Sequence, residues 1–266
     1  MTISFEQAHA LTPHGEGFLW DVPDGWQQGR GAWGGLVVAA CVDAVRRREA
    51  VERPVRVATV QMSGPVLVGA QQIDVCEVRR GSAMTTWNVD IVAQGTPVVH
   101  ASVITGAARD VDVEAQRGWG RARMESRPEW TEVPEQPVEP PMGPAFAPHV
   151  SFRPFAGIPG SGGAASTRGW VSFRDGQPWT ASRALGIVDA WWPGALVASE
   201  RLRPMATVMF AATLLVDPDD LDPSRPLYYE GDLTASDDGF TSELRRLWTP
   251  EGRLVVENLQ SIVVIA

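Results

Sequence analysis

Lysine is absent from this sequence: all 23 basic residues are arginine. A phosphate-gripping loop needs a lysine after its glycines, and Gly160–Gly163 is followed by none, so it reads as a flexible loop. Cysteine is nearly absent too. Cys41 and Cys76 lie in apolar segments and supply neither a metal-ligand spacing nor a disulfide framework. The four histidines, His9, His14, His100 and His149, are scattered outside any paired-ligand pattern, so no metal site is expected. Ser151, Ser166 and Ser199 lack the G-x-S-x-G context of a serine hydrolase. The longest apolar run, 36–42, falls far short of the roughly 20 residues that span a bilayer. The first residues, Met1 to Glu6, lack the basic start and apolar run of a signal peptide. These absences predict a cytoplasmic protein with no membrane partner. A net charge of -9 repels phosphate backbones and argues against nucleic acid.

What is present is a chain of 266 residues, 44% of them hydrophobic, enough for one large domain or two of about 130 residues. A strand is expected at 18–22. A buried helix is expected at 36–48, Ala- and Val-rich and ending in Arg46-Arg47-Arg48, where the macrodipole favours cations. Four strand-like runs follow at 55–68, 71–80, 83–93 and 97–105, parted by short Gly turns that indicate an antiparallel meander. From 125 to 148 prolines sit among glutamates, a density that forbids a helix or a central strand and reads as an extended connector. The second half repeats the plan: strand 170–173, helix 180–192 stopped by Pro193-Gly194, and strands at 206–216, 227–235, 241–249 and 254–265.

The halves also echo in sequence. Val42-Asp43-Ala44 matches Val188-Asp189-Ala190, and Ala58-Thr59-Val60 matches Ala206-Thr207-Val208. Gly81 matches Gly239, Gly95 matches Gly252, and Val98-Val99 matches Val255-Val256. The shared order points to duplication: a first repeat at 1–125, a linker at 126–148 and a second repeat at 149–266. Neither helix has a clean polar face, as expected of a helix wrapped by its own sheet. Two such units would leave clefts at their junction, a usual place for ligands.

At this point the chain resembles the double-hotdog acyl-CoA thioesterases of the TesB type. The resemblance covers both helices, both sheets and the linker, and implies an α+β fold of two repeats, each a central helix wrapped by a curved antiparallel sheet. It rests on Asp189 before Pro193, on Ala206-Thr207-Val208 opening the next strand, and on Asn258-Leu259-Gln260-Ser261 in the last strand. Trp33-Gly34-Gly35-Leu36 keeps the family's two glycines and lacks the glutamine that follows them. The strip after Thr207, Val208-Met209-Phe210-Ala211, is more apolar than the family's Ile-Asp-His-Ser.

The resemblance implies that Asp189, Thr207 and Gln260 are the catalytic set and that the substrate is an acyl-CoA or related acyl thioester. No further cofactor is implied, CoA being part of the substrate. Asp189 would take a proton from the attacking water, while Thr207 and Gln260 hold that water. Backbone N–H groups of Gly34 and Gly35, opening a helix, suit the thioester oxygen. Trp191-Trp192, beside Asp189, would shape an acyl pocket, although core packing accounts for tryptophans as well. The first repeat keeps Asp43 and Thr59 but has Val103 where the second has Gln260, so it reads as a vestigial site. Leftover sheet edges or faces favour a homodimer or higher homo-oligomer. The rival reading is a non-catalytic protein of the same fold that binds an acyl thioester or another apolar ligand. A hotdog hydratase is disfavoured by the lack of a D-x-N-P-x-H run.

Overall fold

A capping box lies at the start of the first helix: the Gln7 N–H donates to the Ser4 hydroxyl, and the Ser4 N–H donates to the Gln7 side chain. It starts helix α1 (Phe5–Ala8) in a computed structural model that describes residues 3–111 and 122–265. Next come β1 (Leu11–His14), β2 (Gly17–Val22), a small ribbon of β3 (Gln27–Gln28) and β4 (Gly31–Ala32), and α2 (Gly34–Arg48). Strands β5 (Val55–Met62), β6 (Gly69–Arg80), β7 (Met84–Ala93) and β8 (Thr96–Gly106) complete the first half. The second half runs β9 (Val150–Ala156), β10 (Ser166–Phe173), α3 (Ala181–Ile187), α4 (Gly194–Ala198), β11 (Met205–Leu214), β12 (Leu227–Asp237), β13 (Phe240–Trp248) and β14 (Leu254–Val264).

All the long strands join one 12-stranded sheet in the order β1-β2-β6-β7-β8-β5-β11-β14-β13-β12-β10-β9. Read from either edge the order is the same, so the two halves meet at a seam where β5 pairs antiparallel with β11, Val60 opposite Phe210. Helices α2 and α3 pack together against this sheet. Residues 35–42 of α2 are all buried, which explains the missing polar face. This is the double-hotdog arrangement the resemblance implies.

The two helices touch backbone to backbone at a pair of glycines. A Cβ on Gly35 would lie 2.4 Å from the Gly186 carbonyl oxygen, and one on Gly186 would lie 2.9 Å from that of Gly35. Only glycine permits that approach. The halves are further locked by Arg183 of α3. It is buried, pairs with Glu6 at 2.5 Å and Asp175 at 2.6 Å, and lies over the Phe173 ring.

Several expectations are corrected. The helix expected at 180–192 spans only Ala181–Ile187. Beyond it the hydrogen bonds tighten to three-residue steps, Asp189 N–H to Gly186 and Ala190 N–H to Ile187, so Asp189 sits on a turn at the helix end. The strand expected to reach 68 stops at Met62, ahead of Pro65, which has no N–H to give a ladder. Edge strands β1 and β9 were not expected; each carries a proline, Pro13 and Pro154, which an edge position tolerates.

The Pro-rich segment contains no helix or strand between 122 and 146, but it is no free connector. Ala122, Met124, Trp130 and Val133 pack on Trp170, Tyr228 and Trp248, in a cluster separate from the main core. Glu230, buried beneath, accepts N–H groups from Trp248 at 2.8 Å and from the Glu125 backbone at 3.1 Å. Apolar burial plus these bonds turns the linker into a strap.

Candidate active site

Strand alternation brings polar residues from two strands of the second repeat to its inner face. Along β14, Asn258, Gln260 and Ile262 are buried while Leu259 is exposed; along β13, Glu243 and Arg245 are buried. Thr207 joins them only through a β-bulge. In β11, Phe210 pairs with Gln260 and Met209 with Ser261, but Thr207 pairs with Ile262, leaving Val208 as the extra residue. Simple alternation would have sent Thr207 outward with Met209; the bulge re-aims it inward.

Asp189 meets this face from the turn after α3. Gln260 Nε2 donates to Asp189 Oδ1 at 2.8 Å, and the Thr207 hydroxyl donates to Gln260 Oε1 at 3.1 Å. A carboxylate can only accept, so the direction of the chain from Thr207 through Gln260 to Asp189 is fixed. The three expected residues therefore form one connected unit, with Asp189 and Gln260 buried and Thr207 half-buried.

The first repeat supplies the other wall. A Cβ on Gly34 would fall 2.7 Å from Asp189 Oδ2 and 3.3 Å from Met62 Cε, so the glycine leaves room for the carboxylate. The Trp33 indole N–H donates to the Asp189 carbonyl at 3.2 Å. Both glycines thus stand at the N-terminus of α2 directly against Asp189, whose carboxylate takes the Gly35 N–H where the positive dipole end favours negative charge.

Burial pushes the Asp189 carboxyl above its usual range, because water is withdrawn from the charged form. Arg245, the Gln260 amide and the Gly35 N–H oppose that rise, and Glu243 adds to it. The net direction is upward.

Asp43 and Thr59 do not form a copy of this site. Asp43 pairs with Arg47 on its own helix at 2.7 Å. The bulge of β5 falls at Arg56, with Val55 opposite Thr105 and Val57 opposite Ile104. Superposing the two bulges sets Thr207 on Val55 and Gln260 on Val103, so the sequence match of Thr207 with Thr59 is out of register.

Sequence reasoning missed Glu243 and Arg245. Arg245 Nε donates to Glu243 Oε1 at 2.8 Å, and Arg245 Nη1 lies 3.6 Å from Asp189 Oδ1. On β13 charged and apolar residues share both faces, so alternation gave no signal. Their counterparts in β7, Trp87 and Val89, would have shown the anomaly: Glu243 pairs with Gln260 as Trp87 pairs with Val103. Trp191 stacks on Tyr229 with ring centroids 4.8 Å apart, and the Trp192 N–H donates to the Gly157 carbonyl at 2.7 Å.

Fold and site together define a class: a double hotdog in which a hydrogen-bonded Asp–Gln–Thr chain in one repeat faces the helix N-terminus of the other. A model of the acyl-CoA thioesterase N-terminal domain matches residues 22–106, and one of the C-terminal domain matches 124–264. The chain belongs to this acyl-CoA thioesterase family. Among solved structures, a hotdog-fold protein of unknown function from Alicyclobacillus acidocaldarius is 21% identical, with a TM-score of 0.90 over 100% of this chain and 99% of that one. A TesB protein from Mycobacterium avium subspecies paratuberculosis is 14% identical with a TM-score of 0.79, covering 98% of each chain. An acyl-CoA thioesterase II from Mycobacterium marinum is 14% identical with a TM-score of 0.76, again covering 98% of each. At these identities the likeness is one of fold. No curated protein sequence matches the chain.

Proposed function

We propose that this protein hydrolyses acyl-CoA thioesters at the junction of its two repeats. The observation that carries the reading is the hydrogen-bonded chain from Thr207 through Gln260 to Asp189, closed by the glycine N-terminus of α2. The thioester carbonyl would lie against the Gly34 and Gly35 N–H groups. Asp189 would take a proton from a water held by Gln260 and Thr207 as the water oxygen bonds to the carbonyl carbon. Negative charge then develops on the carbonyl oxygen at the helix N-terminus. Collapse of the tetrahedral intermediate breaks the C–S bond, and the proton on Asp189 passes to the departing CoA sulfur. Carboxylic acid and free thiol are the products, with no cofactor consumed.

The test is thiol release from acyl-CoAs ranging from acetyl to palmitoyl, with aromatic acyl groups included, for wild type beside Asp189→Asn. A fall of about a hundredfold or more is expected, the contribution of a positioned acid–base group. Equal rates in the two proteins would remove Asp189 from the mechanism. The near-complete burial of the Asp189 side chain, 4% exposed, favours one rival, a protein that only holds its ligand. Release from no thioester, with a ligand retained in native mass spectrometry, would establish that rival.

A further inference from the structure

Two buried charges on β13 are left over by the hydrolytic reading. Glu243 and Arg245 are 0% and 1% exposed. Their positions in the first repeat are filled by Trp87 and Val89, both buried, so the sheet is stable with apolar residues there. An ion pair buried in such a place adds no stability over apolar packing of similar volume. Stability alone does not account for the pair.

The geometry does. Glu243 is anchored at one end, where its Oε2 accepts the Gly194 N–H at 2.8 Å. Its other oxygen takes Arg245 Nε at 2.8 Å. That leaves Arg245 Nη1 turned toward the active turn, 3.5 Å from the Val188 carbonyl and 3.6 Å from Asp189 Oδ1. The other groups facing Asp189 carry no positive charge: Gln260 of β14, the Gly35 amide of α2, and Tyr229 of β12, whose hydroxyl burial keeps neutral. Arg245 is thus the cation that faces this carboxylate among the described residues.

We infer that Arg245, clamped by Glu243, is a positioning residue for Asp189: it supplies the counter-charge that keeps the buried carboxylate ionised and steadies its turn. The inference rests on the proposed hydrolytic role of Asp189. Without Arg245, the low-dielectric site would favour the protonated acid, which can take no proton from water. Arg245→Met should therefore move the acid limb of kcat/KM up by about one pH unit or more and leave the high-pH plateau within a few-fold of wild type. Arg245→Lys keeps the charge and should hold the limb near its wild-type place. Glu243→Gln frees more of the arginine's charge for Asp189 and should move the limb the other way, to lower pH.

A readout independent of turnover separates this inference from the hydrolytic reading. In protein labelled with carbon-13 at the aspartate carboxyls, the Asp189 resonance is the one missing from Asp189→Asn. Its titration midpoint should rise in Arg245→Met and fall in Glu243→Gln. Midpoints and limbs unmoved in both variants, or a uniform rate loss at every pH, would overturn the inference. Should Arg245→Met not fold, the sign of the Glu243→Gln shift decides it. Shifted midpoints in a protein that releases no thiol would count against hydrolysis alone.

Discussion

The two repeats lay the same strands around the same kind of helix, yet their inner faces differ in chemistry. At five equivalent positions the first has Val55, Trp87, Val89, Ala101 and Val103, and the second has Thr207, Glu243, Arg245, Asn258 and Gln260. All but Thr207 are buried in the folded chain. One half fills its interior with apolar volume. The other places polar groups where desolvation is costly and satisfies most of them with one another. The contrast shows where the fold can accommodate a site: it needs the scaffold of both halves but the polar chemistry of only one.

Carboxylates tell the same story. Glu49, at the end of α2, is half-buried, which alone would raise its pKa. Hydrogen bonds from Thr105 and Arg80, both at 2.5 Å, and from the Val51 amide and the Trp87 indole outweigh that and hold it at about 2. Asp189 has fewer donors and is pushed upward instead. The first carboxylate is tied down as structure; the second is left ready to change its protonation.

The contrast can be broken experimentally. The largest effect is expected from Arg245→Val, which strands buried acids without their cation: a loss of about 3–5 kcal/mol in urea unfolding. Glu243→Leu added to it should restore much of that loss by recreating the apolar pattern of the first repeat, and a double mutant no better than the single would show that the pair is not the cause. Next, Gln260→Val and Thr207→Val imitate Val103 and Val55. Each should lower thiol release by about 10- to 100-fold while the protein stays folded by circular dichroism. In the reverse direction, Val103→Gln should gain no activity and should cost about 1–3 kcal/mol, because the first repeat offers the amide no partners.

A smaller, pH-dependent effect belongs to Glu49. Its folded pKa lies below the unfolded value, so its contribution is present above about pH 4.5 and is lost as pH falls toward 2. Glu49→Gln should therefore flatten the decline of melting temperature across that window. The smallest effect is expected of Asp43→Asn. Its bond to Arg47 is a surface-type helix pair worth at most about 0.5 kcal/mol, and thiol release should not change. A large loss of activity there would revive the first repeat as a site.

Most of the scaffold was legible because period-two and Gly-turn signals are local. The central strands and α2 follow from them, whereas the ordered set Asp189, Thr207 and Gln260 is what the family resemblance implies. Features set by tertiary contact were not legible. Helix α3 ends at Ile187 because of how its turn packs, while its sequence continues in helical style. The strap looks like a linker until Trp130 and Val133 meet Trp170 and Trp248. The bulges decide which threonine faces inward, and no local signal marks Val208 or Arg56 as the extra residue. Glu243 and Arg245 stayed hidden because an exposed strand face carries the same residue types.

The seam between β5 and β11 bears on how the chain survives its own folding. Either half alone would end in an open strand with unpaired N–H and C=O groups, the usual template for aggregation. At the seam each half closes the other's edge, and the outermost strands, β1 and β9, are blunted by Pro13 and Pro154. Duplication within one chain keeps the protecting partner tethered at high local concentration from the moment the second half is made.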